Sequence, residues 1–314
     1  MNGRQQAAEP FKALVVGGDS LVGRALTAHL RRQAWAVAAT TRRPGLATAA
    51  RPFLDLAAPG PDWAGVLDQR FDVAYLVAAV ARLAACAHDP QGSWLVNVTG
   101  TANLARRLVE RGVRVIFLST YQVFDGHRAF RRAEEPTAPV TVYGRQKAAA
   151  ENAVLAADQT GDAVAVLRLT KVLNDATPLF NDWAATMAAG RPITPFSDMT
   201  LAPVHAGLVA SCLERIGRDG GGGVYQLSAT RDVSYADAAD RLAARMGVSA
   251  DLVRPASWRE SGVLAEPPAS NTTLDMRRIV DEFGVASPDP WTAIDCSLVS
   301  ASLKQTRGSG SVFV

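Results

Sequence analysis

Hydrophobic positions along the chain follow two alternating patterns. Short β-branched apolar runs alternate with Ala- and Leu-rich stretches in which apolar residues recur at helical spacing. This alternation is typical of βαβ units, whose right-handed crossovers build a doubly wound parallel sheet. We therefore predict an α/β protein, with strands in the segments ALVVGG, AVAATT, DVAYLVA, RVIFLST and AVAVLRL.

The alternation loosens after Lys171, where four prolines between positions 178 and 203 mark loops. This change indicates a smaller second lobe, interleaved with the first. The segment GGGGVYQLSA predicts a loop that leads into one more strand, and YADAADRLAARMG predicts an amphipathic helix ended by Gly247. We predict a first domain at 11–170 with a returning segment at 201–230, a second lobe at 171–200 and 231–297, and a poorly ordered tail at 298–314.

The segment LVVGGDSLVGRAL, positions 14–26, admits two interpretations. Its GDSL letters match the nucleophile motif of a hydrolase class, which also needs a histidine base that follows an aspartate by three residues near the C-terminus. The spacing G-x-x-S-x-x-G between a strand and a helix instead indicates a dinucleotide-binding turn and a Rossmann-type fold. We favour the second interpretation because the hydrolase requirement is met by none of His29, His88, His127 and His205.

Each residue of this turn has a physical reason. Gly17 permits the tight turn off the strand, and Gly23 lets the helix pack close to the sheet. Ser20 stands where a glycine is usual, so its side chain either crowds a bound pyrophosphate or donates a hydrogen bond to it. A plain strand-to-helix turn remains the alternative, and the motif needs support from elsewhere in the chain.

A second motif gives that support. STYQVFDG, at the end of a buried strand, is followed by VYGRQK, which contains Y-x-x-x-K. Tyr143 and Lys147 share one helix face at this spacing, and a nearby ammonium favours the phenolate, so we expect a lowered Tyr143 pKa. Tyr143 would then exchange a proton with a substrate oxygen that the Thr120 hydroxyl holds. A solvated helix face is the alternative for an isolated Y-x-x-x-K.

The end of the second strand indicates which dinucleotide binds. An acidic residue about 20 positions beyond the glycines holds the adenosine ribose in NAD-selective sites. Here the segment is ATTRRPG, with Thr40 and Thr41 in place of the acid, followed by Arg42 and Arg43. Guanidinium groups bind a 2′-phosphate through paired hydrogen bonds, so we predict NADP(H) in preference to NAD(H).

Composition and charge exclude several classes of function. A net charge of +3 over 314 residues, without Lys or Arg clusters, argues against a nucleic-acid or membrane partner. No apolar run reaches the length of about 20 residues that spans a bilayer, and the polar N-terminus does not match a signal peptide. Cys86, Cys212 and Cys296 are widely separated, and no metal-ligand cluster is visible. We expect a cytoplasmic protein with reduced thiols and no metal.

These motifs together resemble the extended short-chain dehydrogenases/reductases, and within them the dTDP-4-dehydrorhamnose reductase group. The resemblance runs from LVVGGDSLVG through VNVTGTANLA, FLSTYQVFDG and YGRQKAAAE to NTTLDMRRIVDEFGV. It implies that Thr120, Tyr143 and Lys147 are catalytic, that Lys147 also holds the nicotinamide ribose, and that Asn97 supports the site. It further implies a cofactor site formed by Gly17, Ser20, Leu21, Val22, Gly23, Arg42, Arg43, Asp55 near the adenine, Leu56, Ala78, Ala79, Asn97, Ser119, Tyr143 and Lys147.

The resemblance implies a reductase that transfers hydride from NAD(P)H to a keto group of a small molecule, with a 4-keto nucleotide-sugar as the expected substrate. Departures from the family pattern lie on the substrate side, at Tyr121, Gln122, Lys171, Pro268 and Ala269. The reaction type is therefore better indicated than the substrate. Three alternatives stay open: a nucleotide-sugar epimerase or dehydratase, a non-catalytic dinucleotide-binding regulatory subunit, and a protein whose motifs are vestigial. Homodimers are common in the superfamily, although no surface in the sequence specifies one.

Overall fold

The computed structural model describes residues 9–175, 177–262 and 268–297. A six-stranded parallel sheet forms its centre, in the order β2-β1-β3-β4-β5-β9. The predicted α/β fold is confirmed, since each of the five predicted strand segments forms a strand and GGGGVYQLSA adds the sixth. The sheet strands are β1 (Lys12–Val16), β2 (Ala36–Ala39), β3 (Val73–Leu76), β4 (Arg114–Thr120), β5 (Val164–Leu169) and β9 (Gly223–Leu227).

Short strands and helices complete the described chain. The short strands are β6 (Val172–Leu173), β7 (Thr200–Leu201), β8 (Val204–His205) and β10 (Val233–Ser234). The helices are α1 (Leu21–Arg32), α2 (Pro61–Leu67), α3 (Leu83–His88), α4 (Pro90–Trp94), α5 (Thr101–Val109), α6 (Val142–Leu155), α7 (Pro178–Ala188), α8 (Ala206–Asp219), α9 (Tyr235–Met246), α10 (Trp258–Ser261), α11 (Arg277–Phe283) and α12 (290–297).

Apolar layers cover both faces of the sheet, which makes it doubly wound. On one face, Leu26 and Leu30 of α1 pack with Leu213 and Ile216 of α8. On the other face, α5 and α6 contribute a second layer, in which Leu104 is fully buried. Strands enclosed on both sides have no solvated face, which is why their sequences are apolar without polar alternation.

The sheet has its topological switch point between β1 and β3. The chain passes from β1 outward to β2 and then crosses to β3 on the other side of β1, and ligands of open α/β sheets bind at such a crevice. Beyond β2, the segment 50–54 runs alongside the sheet, where Thr41 and Phe53 form a parallel bridge. This added edge carries the chain toward Leu54–Leu56 and forms one wall of the crevice.

A separate apolar cluster forms the core of the second lobe. It joins α7 to α9, with Phe180, Met187 and Leu242 among its buried members. The lobe is interleaved with the first, because α8 and β9 return to the large sheet and Ile279 of α11 packs in the core of the first lobe. Helix α9 ends, as predicted, at Gly247 in the left-handed conformation. The predicted tail lies outside the described residues.

Candidate active site

The glycine turn after β1 is packed too closely for side chains. Gly17 has φ of +98°, and a Cβ there would lie 2.8 Å from the Ala78 backbone. A Cβ on Gly23 would lie 2.2 Å from the Gly17 carbonyl oxygen. Ser20 caps α1, since its Oγ accepts a hydrogen bond from the Gly23 N–H at 3.0 Å. The serine is thus compatible with the turn. The N-terminus of α1 faces the crevice, where a side chain at Gly17 would collide with Ala78.

A cavity of about 500 Å³ lies beside this turn, at the carboxyl ends of β1, β2 and β3. Eight of the predicted cofactor-binding residues line it: Gly17, Ser20, Arg42, Arg43, Asp55, Leu56, Ala78 and Ala79. Thr40, which the sequence analysis placed where an acid is usual, also lines it. The lining residues that the sequence analysis missed are Val16, Asp19, Leu54 and Val96. A cleft of mixed polar and apolar lining, with a glycine at positive φ, a helix N-terminus and basic side chains, fits a dinucleotide.

Polar side chains brace the turn against the end of β2. The Thr40 Oγ1 accepts a hydrogen bond from the Gly17 N–H at 3.0 Å. The Thr41 Oγ1 donates to Asp19 Oδ2 at 2.7 Å, and Asp19 also forms an ion pair with Arg51. Hydrogen bonding by Thr41 is the largest influence that lowers the pKa of Asp19, with further lowering by Arg51 and Arg43 against the opposing effect of burial. An acidic residue inside a glycine turn was the available signal for this cluster.

The predicted catalytic residues lie on the next strand and helix of the same sheet edge. Helix α6 begins after Thr141, whose Oγ1 accepts from the Gly144 N–H, and it buries Tyr143 and Lys147. The Lys147 Nζ donates to the Leu118 carbonyl oxygen at 2.5 Å and lies 3.8 Å from the centroid of the Phe117 ring. Helix α6 is therefore held against the carboxyl end of β4.

The end of β4 presents two predicted site residues. Thr120 Oγ1 accepts a hydrogen bond from the Gln122 N–H at 3.3 Å and caps the short 3₁₀ turn Tyr121–Val123. Ser119 Oγ is buried and has no hydrogen-bond partner within the described part of the chain. Leu21, Val22, Gly23, Asn97, Ser119, Tyr143 and Lys147, which were predicted to bind the cofactor, do not line the 500 Å³ cavity.

Burial determines the proton affinities of the tyrosine and lysine pair. Desolvation raises the pKa of Tyr143, and Cys86 adds to the effect. Desolvation lowers the pKa of Lys147 to about 7, against an opposing contribution from Glu151. The expected lowering of the Tyr143 pKa by Lys147 is wrong for the chain by itself, because the spacing of two residues on a helix does not reveal how deeply both are buried. Tyr143 keeps its proton at neutral pH, as a proton donor must.

Asn97 ties the loop after β3 to helix α6. It lies in the π-helical turn Leu95–Gly100, a helix type that is frequent at functional sites. Its side chain accepts from the Val80 N–H at 2.8 Å and donates to Gln146 Oε1 at 2.7 Å. Gln146 in turn donates to Ser93 Oγ at 2.7 Å. Gln146, which the sequence reasoning missed, lies between Tyr143 and Lys147 in the sequence and fixes the start of α6.

Two side chains on the substrate side, the retained Arg168 and the departure Tyr121, are shielded from solvent. Arg168 on β5 is buried in a bidentate ion pair with Glu151 of α6, with an Nη2 to Oε2 distance of 2.8 Å, so this guanidinium is committed to the core. Tyr121 lies near Tyr143, and burial raises its pKa, with smaller contributions from Tyr235 and Asp232. A second phenol thus adjoins the candidate proton donor.

The glycine turn at the switch point and the tyrosine and lysine on the helix after β4 are arranged as in the short-chain dehydrogenases/reductases, and the chain is an extended member of that superfamily. Within it, the chain belongs to the RmlD substrate binding domain family, whose model matches residues 11–300. Across the described residues, no helix has both the length and the apolar character needed to cross a bilayer. In the same part of the chain, His, Cys, Asp and Glu side chains form no group able to hold a metal ion.

The chain is similar to curated proteins of more than one function. A probable low-salt glycan biosynthesis reductase of Haloferax volcanii is 29% identical over 293 residues, which span 88% of this chain and 93% of that protein. A dTDP-4-dehydrorhamnose reductase of Mycobacterium tuberculosis is 33% identical over 230 residues, or 66% of this chain and 74% of that protein. The methionine adenosyltransferase 2 subunit beta of Xenopus laevis is 26% identical over 295 residues, or 89% and 84%.

A solved structure shares the fold over nearly its full length. The dTDP-4-dehydrorhamnose reductase of Bacillus anthracis, in complex with NADP, matches 93% of this chain and 99% of its own, with a TM-score of 0.79 and 16% identity. At this identity the likeness concerns the arrangement of strands and helices.

Proposed function

We propose that this chain is an NAD(P)H-dependent reductase that acts on the keto group of a nucleotide-linked sugar. The observation that carries the proposal is the buried pair of Tyr143 and Lys147 on α6. Lys147 donates to the Leu118 carbonyl oxygen at the end of β4, on the same edge of the sheet as the cavity beside the glycine turn. The dTDP-4-dehydrorhamnose reductase among its relatives supports the substrate class.

Different residues have different roles in the proposed reaction. When bound, the dinucleotide supplies the hydride, and Gly17, Ser20 and the cavity walls hold it. Tyr143, whose pKa is raised by burial, carries the proton that the carbonyl oxygen of the substrate receives. The contact that Thr120 makes with Gln122 uses an acceptor site of its hydroxyl, which leaves the hydroxyl proton for the same substrate oxygen.

Turnover of a panel of keto-sugar nucleotides tests this function. At least one member should drive NAD(P)H oxidation by the wild-type protein, and Tyr143→Phe should lower that turnover by a factor on the order of 10² to 10⁴. Cofactor affinity should be nearly unchanged in the variant, because the lost hydroxyl serves the proton transfer. Equal turnover in the variant removes Tyr143 from the mechanism, and activity toward small free ketones alone refutes the nucleotide-sugar substrate.

The preferred cofactor in this proposal is NADP(H). Arg42 and Arg43 line the cavity, and at the end of β2 the side chains of Thr40 and Thr41 replace an acid. An Arg42→Ala, Arg43→Ala double variant should lose NADP(H) affinity while NAD(H) affinity changes little, and added salt should weaken only the former. Wild-type protein that binds both cofactors equally well contradicts the preference.

The relative from Xenopus laevis favours one further candidate, a dinucleotide-binding regulatory subunit. This alternative predicts cofactor binding without turnover of any keto-sugar nucleotide, and Tyr143→Phe would then change no measured property of the complex. A cytoplasmic location and a homodimeric assembly stay predictions, and light scattering of the purified chain measures the second.

A further inference from the structure

A carboxylate lies at the end of β2 although the sequence there has no acid. It belongs to Asp19 of the glycine turn, and its two oxygens have different partners. Oδ2 accepts from Thr41 Oγ1 at 2.7 Å, and Oδ1 pairs with the Arg51 guanidinium. Thr41 also accepts from the Arg43 N–H at 3.1 Å. Asp19 is thereby fixed beside the residues that follow β2.

The same carboxylate faces the proposed cofactor site. Asp19 lines the 500 Å³ cavity together with Arg42 and Arg43, and about a third of its side chain is exposed. At the end of the second strand, an acid accepts hydrogen bonds from the ribose hydroxyls of NAD, and its negative charge repels a 2′-phosphate. Asp19 brings that chemistry to this place from a different part of the chain.

We propose that Asp19 is a specificity-determining residue that opposes the 2′-phosphate and narrows the preference for NADP(H) that Arg42 and Arg43 create. Arg51 is its positioning residue, because the ion pair holds the carboxylate and offsets part of its charge. This inference rests on the cofactor site of the proposed function. It predicts that Asp19 repels the 2′-phosphate of NADP(H) while Arg42 and Arg43 attract it.

Direct titration of NADPH and NADH, followed by quenching of tryptophan fluorescence, tests the proposal without any turnover. The quantity of interest is the ratio of the NADH dissociation constant to the NADPH dissociation constant. Asp19→Asn removes the charge but keeps an acceptor for Thr41, and it should raise this ratio about tenfold, the effect of one nearby like charge at a partly exposed site. The increase should shrink in high salt.

Three further variants make the result specific. Asp19→Glu keeps the charge and should leave the ratio within about threefold of wild type. Glu110→Gln removes an exposed carboxylate that pairs with Arg106 outside the cavity, and it should leave the ratio unchanged. Arg51→Gln should lower the ratio in the wild-type background and have no effect on it when Asp19→Asn is present, as expected of a residue that acts through Asp19.

The outcomes separate this proposal from the one on which it rests. Wild-type protein that binds neither dinucleotide refutes the cofactor site itself. If both bind but Asp19→Asn leaves the ratio unchanged or lowers it, the role of Asp19 is wrong and the cofactor site stands. If thermal melting shows that Asp19→Asn is unfolded, Arg51→Gln decides, since an unchanged or raised ratio in that variant overturns the proposal.

Discussion

The burial of Lys147 predicts a stability that depends on pH in a defined direction. The folded chain releases this proton near pH 7, whereas the unfolded chain holds it up to the ordinary lysine pKa of 10.5. Between these values the unfolded state binds more protons, so the free energy of unfolding rises with pH. Each unit contributes at most about 1.4 kcal/mol, and integration from pH 7 to 9 gives about 2 kcal/mol. The variant Lys147→Met, of similar length and without a titrating group, lacks this gain.

Urea unfolding of wild type and Lys147→Met at pH 7, 8 and 9 measures the effect. The difference in unfolding free energy between the two proteins cancels the other titrating groups and should move by about 2 kcal/mol in favour of wild type as the pH rises. Lys171→Met, which removes an exposed lysine, controls for the loss of one positive charge. A wild-type minus Lys147→Met difference that stays constant across this range refutes the argument.

Two further substitutions test packing and charge near the site. Gly23→Ala should cost on the order of 1–3 kcal/mol of stability and weaken cofactor binding, because its Cβ would meet the Gly17 carbonyl oxygen. Gly65→Ala, with open space around its Cβ, should be neutral or stabilising. Equal melting temperatures of the two variants would count against the close packing at Gly23. Glu151→Gln breaks the buried ion pair with Arg168 and should lower the free energy of unfolding by about 3 kcal/mol. Glu110→Gln breaks the exposed pair with Arg106 and should lower it by under about 1 kcal/mol. Similar losses for both variants in urea titrations would contradict the burial argument.

Features that depend on residues close together in the sequence were predicted correctly. The turn from Gly17 to Gly23 and the Tyr143 to Lys147 spacing are set by neighbours along one strand and one helix, and the sequence shows such neighbours directly. The sheet was predictable from its strands, because strands that are buried on both faces appear as short continuous apolar runs. Such runs differ from the spaced apolar positions of an amphipathic helix.

Contacts between distant segments were not predictable in the same way. Asp19 meets Arg51, which lies 32 positions later, only because the segment 50–54 aligns with the end of β2 through the Thr41–Phe53 bridge and the backbone hydrogen bonds beside it. The altered pKa of Lys147 depends on its burial between α6 and β4, and helical spacing carries no information about that depth. The closeness of Lys147 to Tyr143 could be inferred from the sequence, whereas the burial of both side chains could not.

The return of α8 and β9 to the first lobe affects how the chain is made. During synthesis, residues up to 170 leave the ribosome first, yet the α1 face of their core still lacks α8, and β5 still has an open edge where β9 will pair. Ile279 is needed later still to complete the same core. The first lobe therefore matures only after most of the second lobe has been synthesised. A ligand that binds at the glycine turn should then protect both lobes together from a protease, as one cooperative unit.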